Sequence, residues 1–391
     1  MKKLLLTTAI VGAVAFTAAP AKADIQLGLG GHFKGYLSWV DQDEATGAGT
    51  GVRSFDIVRD TEIHFTGETT LDNGLTVGFH AEEMADGGEF STQESYAYFA
   101  GNWGRVNFGA EDGAAYLLQV AAPAADTNYD GIRQYVNGVN YAAAAAPAAI
   151  VAAMTGAYGS EVGLNGRVFD YDNVSAGNNY ADKITYITPV FSGFQAAASY
   201  TPDSGYAPSF GNRTNNVVDA FGDSWEFAAR YEGQFNAARI TLGGGYVDTN
   251  LEATTAPVVA NVRTDDVKAW NLGANVGFGP FNVGAAYLKS NNGDVASAVT
   301  TNRQSDSKTW VVGADYTTGP FVLGASYYNQ HQERGSVSDF DTERYAGGVT
   351  YTYGPGMSFR GSVAHVGHDL NTAGVADFDA TTVLLGTQIN F

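Results

Sequence analysis

A period of two that keeps returning constrains this chain more than any other feature. From Ile25 to Val40, Leu27, Leu29, Phe33, Leu37 and Trp39 share one parity, while Gln26, His32, Lys34, Tyr36 and Ser38 share the other. Successive side chains of a strand point to opposite faces, so this stretch is a strand with one apolar face, long enough to cross a bilayer at a tilt. The pattern returns with Phe55, Ile57, Ile63 and Phe65 against Asp56, Glu62, His64 and Thr66. It returns again with Leu75, Val77, Phe79 and Ala81 against Thr76, His80 and Glu82. Arg59 sits on the apolar parity, which predicts a bulge or an end position from which the side chain snorkels.

Later units repeat a hairpin. Trp270 to Phe278 turns through Gly279-Pro280 into Phe281 to Tyr287, and Trp310 to Tyr316 turns through Gly319-Pro320 into Phe321 to Tyr327. Aromatic residues mark the strand ends, with small or aliphatic residues between, as expected of a lipid-facing wall with a belt at each boundary. Seven tight turns, near Asn73, Trp103, Ser192, Gln234, Pro280, Gly319 and Pro355, alternate with eight longer loops, which makes 16 strands. An open sheet would leave unpaired edges, so the last segment, Thr381 to Phe391, is expected to pair with the first. The expected fold is all-β: a 16-stranded antiparallel transmembrane β-barrel.

Lys2 and Lys3, the apolar run Leu4 to Ala19 and the Ala21-Lys22-Ala23 site read as a signal peptide over residues 1–23, with the barrel over 24–391. Without its three lysines the 21 basic residues fall to 18 against 41 acidic ones, a net charge of about −23. That balance excludes a nucleic-acid partner, which requires a basic footprint. The chain has no cysteine, so neither disulfide nor thiolate chemistry is available to it.

Between Glu111 and Tyr180 the alternation stops. An Ala-rich run, Tyr141 to Thr155, is surrounded by acids and tyrosines. A loop this long inside a compact domain is usually either functional or a sign of a misread element. It is expected to be the third outer loop, folded into the lumen to set the pore, with Glu111, Asp112, Asp126 and Asp130 lining the constriction and favouring cations. Arg133 in the loop and Lys34, Arg230, Arg344 and Arg360 on polar-parity positions are the candidate lumen cations. His32, His64 and His80 fall on the polar parity of three neighbouring strands at similar heights, with Glu62 and Glu82 beside them. They are candidates for a transition-metal site or a pH-sensitive wall. No cofactor is expected. His331, His365 and His368 are expected to be solvated in or beside outer loops. Gly28 to Gly31 and Gly243 to Gly245 are not phosphate loops and read as glycines at crowded strand positions.

The stretches FTGETTLDNGLTVGFHAEE (65–83), ESYAYFAGNWGRVNFGA (94–110) and NYADKITYITPVFSGFQAAASY (179–200), with the terminal Phe391, resemble a Gram-negative general diffusion porin of the α-proteobacterial type. The resemblance covers essentially the whole chain after the signal peptide. It implies an outer-membrane homotrimer with a water-filled pore for small hydrophilic solutes and ions, narrowed by the third outer loop. It also implies contact with lipid and lipopolysaccharide, and Phe391 as the signal read by the barrel-assembly machinery. Two departures stand out. Glu62 occupies a wall position where such porins carry Arg, and Gly109-Ala110 replaces a Gly-Arg pair. The family's first-strand Lys corresponds to His32, with Lys34 near enough to serve. A full-strength transverse field is therefore not expected. Three other readings compete: a substrate-selective channel narrowed by the Ala-rich insert, a barrel enzyme built on His365, His368 and Asp369, and a plugged structural barrel.

Overall fold

The computed structural model describes residues 25–45, 51–86, 91–124, 136, 138–145, 180–204, 221–252, 265–291, 293, 304–334, 339–371 and 375–391. Its strands are β1 (Gln26–Gln42), β2 (Phe55–Thr70), β3 (Thr76–Met84), β4 (Ser91–Gly101), β5 (Gly104–Ala110), β6 (Asp182–Ile187), β7 (Phe194–Thr201) and β8 (Phe221–Phe235). They continue as β9 (Ala238–Leu251), β10 (Val267–Phe278), β11 (Phe281–Ser290), β12 (Gln304–Thr318), β13 (Phe321–Arg334), β14 (Phe340–Gly354), β15 (Met357–Asp369) and β16 (Phe378–Asn390). Each pairs antiparallel with its neighbour in sequence, and β1 pairs with β16 from His32↔Asn390 to Gln42↔Ala380, which closes the barrel. Phe391 extends that seam: its N–H donates to the Gly31 carbonyl at 3.2 Å, and the Gly31 N–H donates to the Phe391 carbonyl at 3.1 Å.

Burial follows the sequence parity. Along β10, and along β16 from Phe378 to Leu385, buried and exposed residues alternate almost without exception. Leu272 (60%) and Leu385 (50%) face outward, while Asn271 (2%) and Leu384 (0%) face inward. The outward aromatics pair across strands in two rows. Phe194–Tyr231 (4.6 Å), Phe281–Tyr316 (4.8 Å) and Phe321–Tyr351 (4.9 Å) lie toward the tight turns. Tyr200–Trp225 (4.6 Å), Trp310–Tyr327 (5.0 Å) and Tyr327–Tyr345 (4.8 Å) lie toward the long loops. The tight turns use the expected residues, with one difference. Gly279 and Gly319 precede proline at φ +55, whereas in the 354–357 turn the left-handed residue is Gly356, after the proline, and the register shifts between Thr352 and Gly354.

Arg59 needs no bulge. The β1–β2 register runs unbroken through Gly35↔Arg59. Strand β3 ends at Met84, opposite Glu62, so Arg59 stands above the top of its neighbour. There its guanidinium pairs with Asp86, which also accepts the Thr61 N–H. The end-position reading is the one that holds.

A charge on the outward parity tests this assignment. Leu272→Arg is expected to destabilise the barrel by about 2–4 kcal/mol near mid-bilayer, measured by urea unfolding from lipid vesicles. An unchanged midpoint would place Leu272 away from lipid.

Candidate functional site

The inner face of the barrel is polar but not empty. After β5 the chain turns inward at Glu111 and forms one helical turn, α1 (Ala114–Leu117). The N–H of Ala114 donates to Ser199 Oγ at 2.8 Å, and that of Ala115 to Glu226 Oε2 at 3.1 Å. Both acceptors are inward residues, on β7 and β8. These bonds satisfy donors that the first turn of a helix leaves without an internal partner. The chain then runs along β9, β10 and β12. The Gln119 carbonyl accepts from Arg230 Nη1 at 3.5 Å, and the Ala121 carbonyl accepts from Asn275 Nδ2 at 2.9 Å. Inward glycines make room for it. A Cβ at Gly243 would lie 2.5 Å from Val120, and one at Gly273 would overlap the Val120 backbone. Part of the glycine run at 243–245 is thus explained by crowding from this segment.

A second inward piece packs against the other side of the seam. Asn140 exchanges two hydrogen bonds with the Gln42 amide (2.8 and 2.9 Å). Tyr141, at the start of the Ala-rich run, is buried against Phe378 and His368. His368 is not solvated as expected. It is 1% exposed, with Nδ1 2.8 Å from Thr342 Oγ1 and Nε2 3.2 Å from the Tyr141 hydroxyl. His365 lies on the opposite face of β15 and is exposed, so the two cannot form one site. Asp126, Asp130 and Arg133 lie outside the described residues, as do 146–179 of the Ala-rich stretch and its surroundings.

The ionisable wall stands on β1 to β3. Lys34 and Asp60 are directly opposite across strands, and Lys34 Nζ donates to Asp60 Oδ2 at 2.7 Å. The same oxygen is 3.2 Å from His32 Nε2. His32 Nδ1 is 3.5 Å from Glu62 Oε2, which is 3.1 Å from His64 Nε2. His64 Nδ1 is 3.7 Å from Glu82 Oε1, which is 2.8 Å from His80 Nε2. Imidazole and carboxylate alternate from Asp60 to His80, and the ring centroids of neighbouring histidines are 6.4 and 5.5 Å apart. Cross-strand pairing dictates this order: His32 is opposite Glu62, and His64 is opposite Glu82. The side chains of His32, Glu62, His64, Glu82 and His80 are only 9–16% exposed, so each charge is compensated by a neighbour rather than by bulk water alone.

Glu111 and Asp112 begin the inward segment beside this wall, on the β5 side. Glu111 is buried (3%), with Asn107 Nδ2 donating to its carboxylate and Lys183 Nζ donating to its carbonyl. Burial pushes its carboxyl up to about 7, against the opposing pull of Arg105 and Lys183. The Asp112 N–H donates to Glu94 Oε1 at 3.2 Å. Sequence reasoning missed Asp60, Arg105 and Lys183. Arg105 lies 4.0 Å from the Tyr98 ring centroid and donates from Nε to Asn107 Oδ1 at 2.5 Å. Asp60 carried a signal, since it shares the polar parity of Glu62 and His64, but its partner emerges only once Lys34 is known to stand opposite.

A family model described as Gram-negative porin matches residues 7–371. Among solved structures, an anion-selective porin from Comamonas acidovorans superposes with a TM-score of 0.60 at 17% identity, covering 94% of this chain and 100% of that one. OmpT of Vibrio cholerae, in trimer form, gives 0.58 at 14% identity, covering 94% and 99%. A mutant Rh. blastica porin gives 0.51 at 19%, covering 94% and 100%. At these identities the likeness is one of fold. An uncharacterized protein of Rickettsia conorii is 25% identical over 158 residues, which is 30% of this chain and 36% of the length of that relative.

The Lys34–Asp60 pair offers a direct test of the wall. Lys34→Met leaves a buried carboxylate short of its cation and is expected to cost about 3–5 kcal/mol of barrel stability. The double variant K34M/D60L is expected to recover most of that loss in the same unfolding assay.

Proposed function

The chain belongs to the Gram-negative porin family, and from that membership we propose that it forms a water-filled pore for passive diffusion of small hydrophilic solutes and ions, with a preference for cations. Family and fold are those of an outer-membrane channel protein, not an enzyme. The observation that carries the proposal is the closed barrel with a polar inner face and a segment of chain packed against that face. In this reading, the segment from Glu111 onward narrows the lumen, and solutes pass between it and the wall of β1 to β3.

The cation preference rests on the wall's charges. Asp60, Glu62, Glu82 and Glu94 line β2 to β4, and Lys34 is held against Asp60 rather than left to attract anions. A ring of acids raises the local cation concentration. The anion selectivity named for the Comamonas protein belongs to that protein, which shares only its fold with this chain. A homotrimer is part of the proposal, because the outer face of β1 and β2 offers Leu27 (86% exposed), Leu29 (66%) and Ile57 (66%) for subunit contact. Lipopolysaccharide at the acidic outer loops and the barrel-assembly machinery at the exposed ring of Phe391 complete the set of partners. A second reading, a substrate-selective channel narrowed by the Ala-rich insert, is favoured by the burial of Tyr141 and Ala144 against the wall.

Planar-bilayer recording tests these readings. The purified protein is expected to open in large steps, with a reversal potential in a potassium chloride gradient that favours potassium. Chloride-favouring reversal would overturn the cation preference, and small openings blocked by one solute class would favour the selective channel. Gly273→Val, which pushes Val120 away from β10 and into the lumen, is expected to lower single-channel conductance if the inward segment sets the bore. Glu111 gives the sign of one pH effect: its carboxyl is protonated below about pH 7 and charged above it. Cation preference is therefore expected to rise across that pH, and Glu111→Gln is expected to remove that share of the change.

A further inference from the structure

Any transition-metal site on this wall must draw on the ladder of imidazoles and carboxylates across β1 to β3. We propose that His32, Glu62 and His64 bind one divalent transition-metal ion of the zinc class. Their donor atoms lie within 4.8 Å of one another. A zinc ion about 2.0–2.2 Å from each of its ligands needs donor atoms roughly 3.3 Å apart. Glu62 Oε2 is already 3.1 Å from His64 Nε2 and 3.5 Å from His32 Nδ1, so small side-chain rotations complete the set. Two imidazoles and one carboxylate suit zinc, nickel, cobalt or copper; calcium and magnesium require oxygen ligands.

A second set, His64, His80 and Glu82, satisfies the same distance test, and the two share His64. What surrounds them distinguishes them. A ligating histidine is normally oriented by a carboxylate on its other ring nitrogen. In the first set His32 has one at hydrogen-bond distance, and His64 has one close to its Nδ1 but beyond hydrogen-bond reach. Asp60 Oδ2 is 3.2 Å from His32 Nε2, and Glu82 Oε1 is 3.7 Å from His64 Nδ1. Asp60 is itself held by Lys34 at 2.7 Å. In the second set only His64 is flanked in this way, by Glu62. The backbone adds rigidity to both sets, since His32 is directly opposite Glu62 and His64 directly opposite Glu82. Three protein ligands leave the ion's remaining positions to water or a passing solute. The ion adds two positive charges to the wall and so moves selectivity toward anions.

Equilibrium dialysis of the full-length protein in detergent against zinc tests the site without relying on conduction. His32→Gln and His64→Gln are each expected to weaken zinc binding at least about tenfold, with His80→Gln weakening it far less and magnesium failing to compete. Heat-modifiable gel migration checks that each variant keeps its barrel. Loss on His80→Gln with binding retained on His32→Gln would overturn the assignment in favour of the other set. Absence of zinc binding at millimolar concentration in the wild-type protein would overturn the site altogether. In bilayers, zinc is expected to shift the reversal potential toward chloride in the wild type and not in His64→Gln. A zinc-loaded protein that conducts nothing would leave the site standing and remove the pore reading.

Discussion

Every backbone N–H and C=O that faces lipid must find its partner within the protein, because the bilayer core offers no water to substitute. For a chain of short strands, only a closed sheet meets that requirement. The seam between β1 and β16 is therefore the contact on which the other fifteen strand pairings depend. It continues to the last residue, where Phe391 and Gly31 exchange hydrogen bonds. Once the sheet is closed, the pleat divides the residues of each strand between lipid and lumen. All the chemistry then falls on one parity, and the histidines become neighbours because three adjacent strands each carry one at matching height.

The same division explains which parts of the structure were legible beforehand. Strand number, turn positions and facing were readable, since a period of two with tight turns has few other solutions. His32, His64 and His80 were found because parity and height along the strand are both countable. Partners across strands were harder. Lys34 and Asp60 are 26 residues apart, and only the β1–β2 register shows that they meet. Arg59 looked anomalous because parity does not reveal that β3 stops short beside it. His368 was misjudged for a related reason: strand position placed it near a loop, and what buries it is Tyr141, 227 residues away.

The break in rhythm after Glu111 was visible, but the path of residues 111–124 along the wall was not. No periodicity announces a chain that lies along glycines contributed by β9 and β10. The signal was on the wall instead. Glycine is costly in a strand interior because it adds backbone entropy and contributes no packing. Gly243 and Gly273 are consistent with another stretch of backbone needing the space, and Val120 occupies it. Glycines on the inward parity of a barrel are thus a readable trace of what the lumen contains.

The wall on β1 to β3 shows how the chain holds carboxylates in a confined place without surrounding them with arginine. A guanidinium carries a permanent charge, whereas an imidazole carries one only on condition. Setting His32 and His64 each between two carboxylates, with His80 against Glu82, gives every acid of the ladder a hydrogen-bonding neighbour. Where the resemblance implies Arg, Glu62 instead bridges His32 and His64. A wall built on guanidinium would hold one field at all times. A wall built on this ladder has a field that depends on what the imidazoles bind, and the same alternation that makes it stable also places two nitrogens and an oxygen where one ion can reach all three.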